Sequence, residues 1–276
     1  MQSILARLRD HRQPFDILGL RGASTALLLA RAVEALQRSL CCILPADDQL
    51  EVLARDIAFF SRVPVLTYPS YEIPPYTPLS PDPATVCARL ATLYRLRENR
   101  SPCIVLTSAE AVLRRILPAA ELDRRCELVL AGEETDRDSL IASLVASGYQ
   151  ATEMVRQEGD LALRGGIIDV YPPVLDEELA GPLRLDFFGD TLESIRTFDP
   201  ETQRTTGQLR GLDLVPMSEA QMTSESIRRF RQSYIATFGT PGRDDTLYEA
   251  VSEGRRPAGL EHWLPLLAEK LDTLFT

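Results

Sequence analysis

Short apolar runs alternate with helically spaced apolar positions over the first 120 residues of the chain. The runs predict strands at residues 15–20, 41–45, 64–68 and 103–107. The spaced positions predict helices at residues 24–40, 47–60 and 82–97, the first two beginning at the capping residues Ser24 and Asp47. Strands and helices that alternate in this way are typical of a parallel sheet flanked by helices, an architecture common among nucleotide-binding domains.

Near residue 121 the pattern changes to acidic stretches and short alternating strands. The predicted strands are residues 128–131, 150–157, 161–164, 167–171, 183–188 and 191–198. Turn sequences at residues 158–160 and 188–190 favour antiparallel hairpins, so residues 121–215 are predicted to form a separate small α+β domain. From residue 216 the spacing is helical again, at residues 224–238 and 260–274, and no further sheet is predicted.

Charge is distributed unevenly between these segments. The net charge of −10 divides into +3 for residues 1–120, −11 for residues 121–215 and −2 for residues 216–276. An acidic middle segment is a poor partner for a phosphate backbone and a plausible partner for a basic protein surface.

Composition narrows the class of protein. No run approaches the roughly 20 apolar residues of a membrane span, and the first residues lack the apolar segment of a secretory signal, so a cytoplasmic location is expected. Five cysteines without CxxC spacing predict reduced and mostly buried thiols. Because the chain has only two histidines, neither a metal site nor a histidine-based catalytic triad is expected.

Residues 19–26 lie where a phosphate-binding loop would join the first strand to the first helix. Gly19 takes the place of the first glycine of the motif GxxxxGK[ST], and Gly22 lies within the loop. The second glycine, the lysine and the hydroxyl residue of the motif are replaced by Ser24, Thr25 and Ala26, respectively. The only lysine of the chain is Lys270. The chain is therefore predicted to have no catalytic residues and no cofactor; an ordinary strand-to-helix turn is the alternative interpretation of the loop.

Residues 68–83 contain six prolines and three tyrosines, a density that excludes a helix. Two interpretations remain open. The segment is either a rigid connection whose tyrosines pack on the sheet, or an aromatic surface, through Tyr71 and Tyr76, for a partner or a nucleic-acid strand.

Three sequence blocks, residues 161–173, 182–190 and 193–204, carry the motifs Leu-Arg-Gly-Gly-Ile-Ile-Asp-Val-Tyr-Pro-Pro, Leu-Arg-Leu-Asp-Phe-Phe-Gly-Asp and Thr-Phe-Asp-Pro-Glu-Thr-Gln-Arg. They resemble the N-terminal region of the bacterial transcription-repair coupling factors (Mfd), as do residues 81–94 and 257–263. The related repair helicase UvrB shares several of these motifs but has an intact phosphate-binding loop. The altered residues 19–26 therefore separate the two families.

The resemblance implies a RecA-like parallel-sheet fold split into domain 1a (residues 1–120) and a truncated start of domain 1b (residues 216–276), with a small α+β domain 2, similar to that of UvrB, inserted as residues 121–215. It also implies a non-catalytic module that recruits UvrA in nucleotide excision repair. ATP and magnesium are then expected only in the DNA-translocase motor of the full-length protein. That protein is expected to contact RNA polymerase and DNA, and its C-terminal domains to mask the module. The alternative is a DNA-binding accessory domain of a repair helicase.

The family's UvrA-binding positions match Arg164, Arg184 and Phe188 in this sequence, and Asp186, between the last two, is predicted to belong to the same UvrA-binding site. Period-2 alternation over residues 183–188 places Arg184, Asp186 and Phe188 on one strand face. An aromatic side chain flanked by arginine on an exposed strand is typical of an interface hot spot. Alternatively, the arginines pair with carboxylates of the domain, Phe188 caps its own hairpin, and Asp186 is an ordinary surface residue.

Overall fold

The computed structural model describes residues 1–10, 13–98, 101–173, 181–242 and 244–275. It contains parallel and antiparallel sheets together with helices, which confirms the α/β class. The residues divide into two compact units, one formed by residues 1–70 and 95–114 and the other by residues 71–94 and 115–276. Within the described residues, no helix is long and apolar enough to cross a membrane.

The helices are α1 (Gln2–Asp10), α2 (Ser24–Leu36), α3 (Leu50–Phe60), α4 (Pro83–Glu98), α5 (Ala109–Leu113), α6 (Ala119–Asp123), α7 (Arg137–Ala146), α8 (Ser224–Phe238), α9 (Thr246–Ser252) and α10 (Leu264–Leu267). The strands are β1 (Leu40–Leu44), β2 (Val65–Tyr68), β3 (Ile104–Ser108), β4 (Glu127–Leu130), β5 (Gln150–Ala151), β6 (Asp160–Arg164), β7 (Ile167–Val170), β8 (Leu183–Phe188), β9 (Thr191–Phe198), β10 (Thr205–Leu209) and β11 (Gly211–Leu214).

The first unit is built on a parallel three-stranded sheet in the order β1-β3-β2. These strands confirm three of the four predicted in this region. Ala26 and Ala30 of α2, one helical turn apart, pack with Ile57 of α3 against Ile104 and Leu106 of the central strand. An apolar stripe on each helix therefore buries one face of the sheet.

Two predictions for this unit are wrong. Residues 15–20 form no strand, and Leu18 is almost fully exposed. An apolar run becomes a strand only when a neighbouring strand satisfies its backbone groups, and no described residue pairs with it. The helix predicted to reach residue 40 ends at Leu36, because Gln37 takes a left-handed conformation (φ 52°) and its amide closes the last turn on the carbonyl of Val33.

The second unit contains a six-stranded sheet in the order β10-β9-β8-β7-β6-β5, antiparallel except for the short β5–β6 pair. One face forms the main core, where Leu185 and Ile195 pack in a cluster that includes Leu140 and Leu144 of α7. The bounds of β8 and β9 agree with prediction to the residue. The pair β4–β11 forms a separate small sheet.

The strand predicted over residues 150–157 is wrong beyond Ala151, since residues 152–157 leave the sheet edge as a loop. Strands β10 and β11 were not predicted. At the C-terminal end, α8 has the predicted bounds and begins with a capping box between Thr223 and Ser226. The helix predicted over residues 260–274 is wrong: it is one short turn followed by α10, and Asp272 forms an isolated bridge with Ile116.

A docking face on the antiparallel sheet

Strand β8 has two distinct sides, as the alternation predicts. Leu183, Leu185 and Phe187 point into the core, while Arg184, Asp186 and Phe188 lie on the opposite side. This opposite side carries the residues predicted to bind a partner, and we call it, as a candidate site, the docking face. It is defined by six residues: Arg164 of β6, Asp169 of β7, Arg184, Asp186 and Phe188 of β8, and Arg196 of β9.

The strand register centres the docking face on Asp169, which lies opposite Arg184. The side chain of Asp169 is only 1% exposed, and its two oxygens accept hydrogen bonds from Nε (2.7 Å) and Nη2 (2.8 Å) of Arg184. Arg164 contributes a second guanidinium at 3.7 Å from the same carboxylate. One buried carboxylate therefore positions both arginines that sequence analysis singled out.

The guanidinium of Arg184 is fixed by contacts within the domain. Its side chain is 18% exposed, and its guanidinium lies 4.6 Å above the ring centre of Phe198. The hydrogen bonds to Asp169 raise the pKa of Arg184, and partial burial opposes that rise only in part. The geometry therefore matches the alternative in which this arginine pairs with a carboxylate.

The carboxylate of Asp186 also has its binding partners within the domain. It forms an ion pair with Arg196, and the hydroxyl of Ser194 donates a hydrogen bond to the same carboxylate oxygen at 3.2 Å. Its side chain is half-buried. Asp186 therefore helps to fix the shape of the docking face and offers little unpaired charge to a partner.

Phe188 and Arg164 are the members that the docking face presents to solvent. Phe188 is 77% exposed and ends β8, while the Arg164 side chain is 45% exposed and ends β6. The amide of Phe187 donates to the carbonyl of Gly166, so the turns after β6 and β8 lie at the same end of the sheet. Because β6 and β8 flank β7 and Arg164 is level with Asp186, the Cα atoms of Arg164 and Phe188 are separated by two strand spacings across the sheet and two residues along it, roughly 12 Å.

A loop beside Arg164 belongs to the same surface and was not predicted from the sequence. Glu153, Met154 and Arg156 line a groove of about 510 Å³ together with Arg164. The loop was hidden because residues 150–157 were predicted to continue as a single strand. Only the Glu-Gly-Asp turn at residues 158–160 signalled that the chain changes direction here.

The loop at residues 19–26 is a glycine turn into α2. Gly19 (φ 83°) and Gly22 (φ 52°) have left-handed conformations, and the Ser24 hydroxyl both accepts from the amide and donates to the carbonyl of Arg21. Thr25 and the fully buried Ala26 lie in the first helical turn. Ser24 therefore closes the loop on itself, and Ala26 packs into the core.

The two tyrosines of the proline-rich segment differ in their exposure to solvent. Tyr71 is buried, and its hydroxyl donates to Glu219 at 3.3 Å, whereas Tyr76 is exposed with its ring 5.1 Å from that of Trp263. The interpretation in which Tyr71 and Tyr76 together stack on a nucleic-acid strand is therefore wrong for Tyr71, because a buried ring has no free face.

Comparison with known proteins assigns the region that carries the docking face. The sequence model of the UvrB interaction domain family matches residues 129–219. The chain is 37% identical over 271 residues to the transcription-repair-coupling factor of Myxococcus xanthus, with 93% of this chain and 22% of that protein covered. The corresponding protein of Haemophilus influenzae is 34% identical over 268 residues (95% and 23% covered), and that of Escherichia coli is 31% identical over 258 residues (93% and 22% covered).

The chain thus spans between a fifth and a quarter of the length of these relatives. The resemblance read from residues 161–204 is confirmed. Residues 129–219 match the UvrB interaction domain family, and the chain as a whole is similar to a part of the transcription-repair-coupling factors.

Proposed function

We propose that this chain is a non-catalytic docking module that recruits UvrA to stalled RNA polymerase in nucleotide excision repair by mimicking UvrB. The match of residues 129–219 to the UvrB interaction domain family supports this assignment, because that region carries the whole docking face. In this proposal the docking face binds UvrA, and the rest of the chain holds that domain in place.

One observation carries the proposal. Phe188 is exposed beside Arg164 on a face whose other charges are already paired within the domain. An exposed aromatic ring loses little conformational entropy on binding and buries a large area, and arginine next to it is a common second anchor. Arg184 and Asp186 keep the face rigid, which lowers the cost of ordering it when UvrA binds.

The architecture we propose around this domain is RecA-like, with domains 1a and 1b flanking domain 2. The parallel order β1-β3-β2 is compatible with half of such a sheet. Residues 19–26 would then be a phosphate-binding loop that has lost its lysine. ATP hydrolysis, DNA translocation and contact with RNA polymerase would belong to other parts of the full-length protein, whose C-terminal domains would mask the docking face.

Binding to purified UvrA, measured by isothermal titration calorimetry, tests the recruiting function. Phe188→Ala is expected to weaken binding by at least about 2 kcal/mol, or roughly thirtyfold, the scale of an interface hot spot. Leu128→Ala is the matched control, because Leu128 is an exposed apolar residue of β4 outside the docking face. Equal UvrA affinity for the parent chain, Phe188→Ala and Leu128→Ala would contradict the site.

Nucleotide titration tests the non-catalytic part of the proposal. Without the motif lysine, ATP with magnesium is expected to produce no saturable change in intrinsic fluorescence or in the unfolding temperature. A saturable stabilisation that disappears in a variant of the loop, such as Gly22→Val, would show that residues 19–26 still bind phosphate.

A further inference from the structure

The loop of residues 152–157 is anchored to the outer side of the six-stranded sheet. Val155 is fully buried there against Ala162 and Phe198. Its carbonyl accepts a hydrogen bond from the side-chain amide of Gln203 at 3.4 Å. The loop is therefore fastened at its middle by a core residue, although it lies outside the strand ladder.

Hydrogen bonds also fix both halves of this loop. One carboxylate oxygen of Asp160 accepts from the backbone amides of Arg156 (2.9 Å) and Gln157 (3.1 Å). On the other side, the hydroxyl of Thr152 donates to the carbonyl of Met154 at 3.2 Å. Because the backbone is held on either side of Val155, the side chains of Met154 and Arg156 project from a preorganised support.

The groove beside this loop has a chemistry that differs from the surrounding surface. Met154, which is 39% exposed, supplies an apolar side, while Arg156 and Arg164 supply two guanidinium groups and Glu153 one carboxylate. The charges of these side chains sum to +1, although the surrounding segment, residues 121–215, carries a net charge of −11. A positive groove with a polarizable thioether wall favours an acidic segment that also bears an apolar side chain.

We propose that residues 152–157 form a second contact region for UvrA, continuous with the docking face through Arg164. An acidic side chain of UvrA would lie between Arg156 and Arg164, and a neighbouring apolar side chain would pack on Met154. This inference rests on the proposed function and adds to it the chemistry of the UvrA surface that the groove accepts.

The test uses the whole chain and purified UvrA in isothermal titration calorimetry. Arg156→Glu and Met154→Ala are each expected to weaken binding about tenfold, and Arg156→Lys to retain most of the affinity. Arg210→Glu and Leu128→Ala are matched controls, one for charge and one for apolar area, at exposed positions outside the groove. Neither control is expected to change the affinity.

The salt dependence provides a second readout that a purely structural role of the loop would not change. Arg156→Glu is expected to flatten the decrease of affinity with ionic strength, because a solvent-accessible attraction between opposite charges, which salt screens, is removed. Circular dichroism and thermal unfolding of Arg156→Glu are expected to match the parent chain.

The outcomes of this experiment distinguish the proposed function from the second contact region. If the parent chain binds UvrA and Arg156→Glu and Met154→Ala bind as tightly as the parent, the second contact region is refuted while the proposed function stands. Equal weakening by the variants and by Arg210→Glu and Leu128→Ala would also refute it, since the effect would not belong to the groove. If the parent chain does not bind UvrA, both ideas are wrong.

Discussion

Removal of the Asp169 carboxylate tests whether one buried charge organises the docking face. Asp169 is almost completely buried and holds Arg184 through two short hydrogen bonds, with Arg164 nearby. In Asp169→Ala the guanidinium of Arg184 keeps its place over Phe198 but loses its counter-charge. The variant therefore leaves the positive charge of Arg184 in the docking face without its counter-charge.

The expected loss of stability is smaller than for a fully buried ion pair. Breaking such a pair costs about 3–5 kcal/mol. Here the Arg184 side chain is 18% exposed and that of Arg164 is 45% exposed, so water can solvate part of the released charge. We therefore expect the free energy of unfolding to fall by about 2–3 kcal/mol, close to the range for hydrogen bonds to charged groups.

Urea unfolding followed by circular dichroism measures this loss, and Asp190→Ala is the control because Asp190 lies in an exposed turn. The control is expected to change the free energy of unfolding by no more than about 0.5 kcal/mol. A double-mutant cycle with Arg184→Met is expected to give a coupling energy of at least about 1 kcal/mol. Asp169→Ala with control-like stability, or a coupling energy near zero, would refute the bridging role.

Three further predictions concern the same unit. Gly166→Ala is expected to destabilise the domain by about 1–3 kcal/mol in urea unfolding, because the new Cβ would meet the backbone oxygen of Phe187 at 2.6 Å; native-like stability would contradict this. The hydrogen bond from Tyr234 to Asp245 raises the pKa of Tyr234 to about 12, so its stabilising effect is present below pH 10 and is lost as the pH rises towards 12. In a spectrophotometric titration, Asp245→Ala should bring the ionisation of Tyr234 closer to pH 10, and an unchanged curve would exclude this cause. Burial raises the pKa of the Cys87 thiol, so iodoacetamide should alkylate Cys87 only after unfolding, and alkylation of the native chain would show that the core opens.

The sequence correctly predicted those strands and helices whose hydrophobic pattern is complete within a few consecutive residues. Strands β8 and β9 and helix α8 have the predicted bounds, because alternation and helical spacing are local signals. The strand predicted at residues 15–20 was wrong, as was the part beyond Ala151 of the strand predicted at residues 150–157, for a common reason. Strand formation depends on a neighbouring backbone, and apolar side chains such as Val155 can be buried by a loop as well as by a strand.

For the docking face, the sequence by itself determined which side chains share a side of β8 and which family carries that motif. Period 2 fixes the side on which Arg184, Asp186 and Phe188 lie, whatever the rest of the chain does. The tertiary structure alone decided what those side chains are free to do. Strand register brings Asp169 to Arg184 and Arg196 to Asp186, so two of the three predicted residues are held by partners and Phe188 remains exposed beside Arg164. These pairings arise between strands, where the distance along the chain carries no information about which charges meet.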